Sequence, residues 1–331
     1  MSLKLKLVKK FISFVFPDVK KYADKEPVFR PSPDSPRGLL VPELVLLYGD
    51  SVKHLLKIIF ILPYFIGTAF YSRKCVKSVK RNPLKAKKHA SRTFFEKLEK
   101  YARALGILKI GYTKLTPELV FSNRTVLYEN AIVLLMEMDK EKIMKAPSII
   151  AGIEVWRTYY RLTRAAYKIA EFLRRHGYNA QPDPAVGGST NFPLLAQKAG
   201  LGYIGKHGLL ITPESGPSVR ITAIYTDLEL PYTDENMREY EWIPEFCEYC
   251  NNCVRTCPTK AIYTKPIKIN NREIHIDYGK CIKVFAKTLG CSICIKECPF
   301  TKTKYTNLKN AYRIIVERRI KAHQHHDRTV N

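Results

Sequence analysis

The chain has 331 residues, 46% of them hydrophobic, with 56 Lys and Arg against 30 Asp and Glu, a formal net charge of +26. That length and apolar content exclude a disordered tail or a minimal metal-stapled module, and leave room for two domains or one large domain with an insert. The basic excess is spread along the chain instead of gathered in one recognition motif, so it favours a polyanionic partner, nucleic acid or anionic lipid, without choosing between them.

Met1 to Lys21 sets lysines at 4, 6, 9, 10, 20 and 21 around a short apolar run, with neither a twin-arginine pair nor a small-residue cleavage site. It reads as a basic amphipathic helix, packed on the body or lying on a membrane surface. Prolines 17, 27, 31, 33, 36 and 42 then mark a loop over residues 17–44. Leu55 to Tyr71 is nearly uninterrupted in apolar residues, but falls short of the ~20 a membrane span needs. It holds Lys57 and Pro63 and runs into Arg73, Lys74, Lys77, Lys80 and Arg81, so a buried or interfacial helix is expected, with Cys75 a packed or idle thiol.

From about residue 91 the pattern becomes that of an α/β domain. Phe94 to Leu105 reads as an amphipathic helix ending at Gly106, and Ala131 to Met138 as a buried strand, being short and continuously apolar. Leu162, Ala165, Ala166, Ile169, Phe172 and Leu173 form one helical face that ends at Gly177. A loop over Asn179 to Asn191 follows, and Val219 to Tyr225 alternates as a half-buried strand would. Ile267 and Ile269 facing Ile274 and Ile276 across Asn270-Asn271 give a hairpin signal, and the segment from Lys302 reads as helical, then polar. His323, His325 and His326 in that polar terminus suit a mobile tail better than a metal site.

Gly200-x-Gly202-x-x-Gly205 matches a dinucleotide fingerprint in letters only, because a helix-like segment precedes it and turn-rich sequence with Gly208, Pro213 and Gly216 follows. Glycines and short polar residues at such density suggest backbone lying against a flat, bulky ligand, or simply tight turns.

Eight of the nine cysteines follow, as Cys247-x2-Cys250-x2-Cys253-x3-Cys257-Pro258 and Cys281-x9-Cys291-x2-Cys294-x3-Cys298-Pro299. This is the ligand set of two [4Fe–4S] clusters, in which the fourth cysteine of each run crosses to the other cluster. Cys247, Cys250, Cys253 and Cys298 would hold one, and Cys281, Cys291, Cys294 and Cys257 the other. Disulfides or zinc account less well for three two-residue gaps and two Cys-Pro endings. Assembly of such clusters calls for reduced thiols, hence a reducing compartment.

The string AGLGYIGKHGLLITPESGP, the FCEYCNNCVRTCP run and the wide gap from Cys281 to Cys291 resemble the corrinoid-dependent iron–sulfur reductases, that is, reductive dehalogenases and epoxyqueuosine reductases, the TPESGPSVR stretch lying closer to the dehalogenase branch. The resemblance spans roughly residues 91–300 and implies an α/β (α+β) chain: a basic extension (1–90), a nitroreductase-like cobalamin-binding domain (91–232), a ferredoxin-like dicluster domain (233–302) and a C-terminal helix and tail (303–331). It implies that cobalamin is held base-off near Gly200, Gly202, Gly205, Lys206, His207, Gly208, Leu209 and Thr212. It further implies a proton-donating tyrosine and a basic residue about sixty positions later, a spacing that Tyr160 and Arg220 fit, with Tyr159 the rival. The expected activity is reductive cleavage of a carbon–halogen or carbon–oxygen bond with electrons from a low-potential donor. The alternatives are an epoxyqueuosine-type reductase acting on tRNA and a non-catalytic electron carrier or corrinoid-activating partner. Without a leader, a cytoplasmic protein is expected, peripherally attached at most to an anionic membrane surface through residues 1–90.

Overall fold

The computed structural model describes residues 17–23, 52–122, 124–269 and 272–329, with Lys10, Ser13, Glu26 and Pro27 besides. Most of the N-terminal amphipathic segment, most of the proline-rich loop and the Asn270-Asn271 turn lie outside the described residues, as do the side chains of the terminal histidines.

The apolar run is a helix longer at both ends than its letters suggest, α1 (Val52–Lys77), with Pro63 inside it. Its inward face carries Ile61, Thr68, Ser72, Cys75 and Val76, all buried. The Cys75 thiol donates to the Thr163 carbonyl at 3.7 Å, and burial pushes its pKa far up, so it is a packed thiol. Next comes α2 (Arg92–Ala104), started by Ser91, whose hydroxyl accepts the Phe94 N–H at 3.3 Å, and stopped by Gly106 at φ +85°.

The sheet comprises β1 (Lys109–Lys114), β2 (Asn130–Glu137), β3 (Gln181–Pro182) and β6 (Val219–Thr226), in the order β1-β2-β6-β3 and antiparallel throughout. In β2, Ala131, Val133 and Leu135 join the core on one face while Ile132, Leu134 and Met136 join the core on the other. Because both faces are covered, the strand can be apolar without alternation. The same covering corrects the reading of Val219 to Tyr225: every residue of β6 is buried except Arg220, which is only partly so.

Between β2 and β3 run a single turn, α3 (Lys140–Ile143), and the long α4 (Ile149–Arg175), capped by Ser148 and ended before Gly177 at φ +89°. Buried Glu154 fixes the start of α4. Its carboxylate accepts the Asp139 N–H at 2.9 Å and the Thr158 hydroxyl at 3.0 Å and pairs with Arg157 at 2.7 Å, which leaves no lone buried charge. α1 crosses α4 at Gly67, where a Cβ would stand 2.6 Å from the Tyr160 ring.

After α5 (Phe192–Lys198) a small hairpin forms from β4 (Tyr203–Ile204) and β5 (Leu210–Ile211). A helix before and a hairpin after confirm that the glycine triplet is not a nucleotide fingerprint. The cysteine-bearing segment then folds as α6 (Trp242–Cys250), α7 (Asn252–Thr256), a ribbon of β7 (Ile262–Ile269) and β8 (Arg272–Ile276), and helices α8 (Tyr278–Thr288), α9 (Ile293–Lys296) and α10 (Pro299–Lys302), before α11 (Tyr305–Thr329). In the ribbon Ile267 opposes Ile274 as expected, while Ile276 pairs with Ile262 across a register shift.

Candidate redox and proton-transfer site

The short helices bring the thiols together in crossed sets. Cys247, Cys250, Cys253 and Cys298 line one pocket. Cys257 instead lies within electrostatic reach of Cys281, Cys291 and Cys294. All eight are free, and among the described residues no three ligating side chains converge as they would on a single metal ion. A thiol set ringing a cavity suits a cluster better than a mononuclear site. Burial pushes Cys247 up to about 12 and Cys253 and Cys281 up to about 11, and holds Cys294 and Cys298 well above the ordinary thiol value. Only a strongly cationic core would make thiolates favourable there, which fits iron–sulfur ligation. In Cys257 burial is outweighed by hydrogen bonds from the Thr259 hydroxyl and the Ala261 N–H, at 3.6 and 3.3 Å, and its pKa falls.

The β4–β5 tip reaches into the first of these sets. Gly208 donates its N–H to the Gly205 carbonyl at 2.8 Å, closing a tight turn that carries Lys206 and His207 into the cavity wall. The Lys206 ammonium meets the Asn251 amide oxygen at 2.9 Å and Glu248 at 3.4 Å. Burial, with His275 adding to it, lowers His207 to about 4, so the ring is neutral; its Nδ1 accepts the Leu209 N–H at 3.2 Å and its Nε2 is buried without a partner.

Two of the glycines expected to lie against a corrinoid have protein close to where a side chain would begin. A Cβ on Gly202, at φ +153°, would stand 2.1 Å from the Ile211 carbonyl oxygen, and one on Gly205 would stand 2.5 Å from the Ile211 side chain. Gly200 ends α5 at φ +65°, and Thr212 closes the turn to Gly216. Leu209, also named for the cofactor, packs on the same buried core as Tyr159 and Cys294.

The structure joins Arg220 to Tyr159, not to Tyr160. The Arg220 guanidinium sits 4.7 Å from the centre of the Tyr159 ring, whereas Tyr160 turns toward α1, among Gly67, Tyr64 and Tyr71. Trp156, which the sequence reading missed, stands one turn earlier on α4, its ring 6.0 Å from that of Tyr159. The Arg220 Nε, Trp156 Nε1 and Ser292 hydroxyl are buried without protein partners. Unpaired buried polar groups are costly, and two of these flank Tyr159, as expected where a polar ligand completes the site.

Comparison with known proteins bears on the fold and on the cysteine-bearing segment. Residues 246–302 match a family described as a 4Fe-4S dicluster domain. A tetrachloroethene reductive dehalogenase of Desulfitobacterium hafniense is 36% identical over 194 residues, 54% of this chain and 34% of that protein. The epoxyqueuosine reductase of Vibrio cholerae is 28% identical over 171 residues, 46% of this chain and 42% of that protein. Among solved structures, a catabolic reductive dehalogenase superposes with a TM-score of 0.66 at 19% identity, over 89% of this chain and 46% of that one. The match thus spans about a third of the length of the curated dehalogenase and under half of the solved one. A mixed α/β fold shared with reductive dehalogenases, a dicluster segment at its C-terminal side and sequence identity to both reductase groups together make this chain a homologue of the reductive dehalogenases and, more distantly, of the epoxyqueuosine reductases.

Proposed function

We propose that the chain is a corrinoid-dependent iron–sulfur reductase that replaces halogen by hydrogen on a small organic substrate. The observation that carries this reading is the Tyr159–Arg220 pair, whose tyrosine packs on the same buried core, Met138, Ile143, Val155 and Ile295, as the cluster ligand Cys294. The unpartnered Trp156 Nε1 and Arg220 Nε beside it suit a bound polar cofactor, and a corrinoid there would supply a cobalt centre for reductive carbon–halogen cleavage. Two electrons and one proton balance the reaction: the carbon–halogen bond breaks, halide leaves and a carbon–hydrogen bond forms. The Tyr159 hydroxyl gives the proton, and the permanent charge of Arg220 stabilises the phenolate left behind. Electrons from a low-potential donor enter through the clusters. Anaerobic protein reconstituted with iron, sulfide and cobalamin should release halide from halogenated ethenes or phenols when given a low-potential reductant. Full iron content with no EPR signal from bound cobalt would leave the electron-carrier reading. Turnover of epoxyqueuosine in tRNA, with binding that weakens steeply in salt, would move the assignment to that branch.

The same reading places the protein in a reducing compartment, peripherally attached to an anionic membrane. No described helix is long and apolar enough to cross a bilayer. Yet α1 presents Ile59, Leu62, Ile66 and Phe70 along one outward stripe, between 42% and 61% exposed, with exposed Lys74 and Lys77 continuing its line. An apolar stripe with a basic end matches the interface of a negatively charged bilayer. Co-sedimentation with phosphatidylglycerol vesicles should exceed that with phosphatidylcholine at least tenfold and should fall on an I66S/F70S double substitution; equal binding to both vesicle types would remove the membrane assignment.

A further inference from the structure

The first cluster's cavity holds a cation that the proposed chemistry does not use. Lys206 has a side chain only 3% exposed and lines the pocket that Cys247, Cys250, Cys253 and Cys298 also line, where its charge acts on Cys247 and Cys253. Its charge is met on one side by Asn251, the residue after Cys250, and on the other by Glu248, which is 52% exposed. A solvent-exposed carboxylate is screened by water, so it offsets a buried ammonium only in part. The position is rigid: the turn closed by Gly205 and Gly208 fixes the backbone, a Cβ on Gly208 would already touch the His275 side chain at 3.2 Å, and the Lys206 backbone N–H reaches the Cys247 sulfur.

We propose that Lys206 sets the reduction potential of the first cluster, its buried ammonium holding that cluster more easily reduced than it would otherwise be, with Glu248 as the partial counterweight. A reduced cluster carries one more negative charge than an oxidised one. A nearby cation with little water between therefore favours the reduced form, and nearby charge is among the levers by which proteins tune such clusters. Electrons arriving from a donor would then be collected at the first cluster before they pass to the second. The inference rests on the dicluster domain alone and holds whatever the substrate.

The test is an EPR-monitored potentiometric titration of the full chain with both clusters reconstituted, iron content being measured on every sample. Lys206→Met should lower one of the two midpoints, shifting the reduced-to-oxidised ratio about tenfold, or about 59 mV for a one-electron couple. Lys206→Arg should restore most of it, because the charge returns without the lysine shape. Glu248→Gln, at an exposed position, should shift the same midpoint the opposite way by a smaller factor, and it decides the matter if Lys206→Met fails to take up iron. Midpoints that stay within a twofold change of ratio in iron-replete Lys206→Met and Glu248→Gln proteins overturn the proposal, as does an equal shift of both clusters. Low iron in the unsubstituted protein would instead indict the cluster assignment itself.

Discussion

Tyr159→Phe should slow the proposed dehalogenation by about 10²–10⁴-fold, the usual worth of a positioned general acid, while iron content and reduction of both clusters stay unchanged. Tyr160→Phe should alter turnover by less than about threefold, on the same scale of effect. The contrast follows from one step along a helix. Tyr159 and Tyr160 are neighbours in sequence, but 100° of rotation separates them on α4. That step turns Tyr159 to Arg220 and to the core that Leu209 and Cys294 also border, and turns Tyr160 to the face of α1. The phenol hydroxyl is the sole group the Phe substitution deletes, so packing on Trp156 survives and a structural loss is not expected. Arg220→Met should share most of the defect, and the two substitutions together should cost little more than either alone, because residues acting as a unit are strongly non-additive. Full activity in Tyr159→Phe, or a larger loss in Tyr160→Phe, would disprove the assignment of the proton donor.

Helix phase could have chosen between these tyrosines from the sequence. Leu162 and Ala166, read there as the buried face, lie three and seven residues beyond Tyr159, in register with it; Tyr160 is instead in register with Thr163 and Tyr167, which meet α1. The sixty-residue spacing to Arg220 could not discriminate, since one residue in sixty is a small error in chain length and a large one in direction. Other features were legible because their cause is local. The strand at Asn130–Glu137 is apolar on both faces because both are covered, and the helix ends at Gly106 and Gly177 need a positive φ. The glycine-rich stretch was legible as backbone in close contact, but not as to the contact. Gly202 and Gly205 admit Ile211, and Gly216, at φ +54°, lies against the Phe300 backbone, with a Cβ there only 2.5 Å from its carbonyl oxygen. Glycine density reports crowding; what crowds is decided by segments far away in sequence. Lys206 illustrates the same limit. Only the docking of the β4–β5 tip onto α6 turns it from a solvated charge into a buried one.

Cys257→Ser should remove one cluster and spare the other, lowering iron from about eight to about four atoms per chain, and the lost component should be the one that Cys291→Ser also removes. Uncrossed pairing, in which Cys247, Cys250, Cys253 and Cys257 form one set, predicts the reverse: Cys257→Ser would then erase the same signal as Cys250→Ser. The geometry favours crossing, because Cys298 closes the cavity lined by Cys247, Cys250 and Cys253 while Cys257 stands with Cys281, Cys291 and Cys294. Crossing also ties the two runs together, since each cluster then binds α6–α7 to α8–α10. Because metal ligation supplies folding free energy, losing either crossover thiolate should loosen the whole segment and raise its susceptibility to proteolysis, more than losing Cys75, which ligates nothing. The double substitution Cys257→Ser/Cys291→Ser should lose no more iron than either single one, whereas Cys257→Ser/Cys298→Ser should lose nearly all of it. Iron loss from Cys257→Ser/Cys291→Ser that equals the total would require the two thiols to serve different clusters, and the crossed assignment would then be wrong.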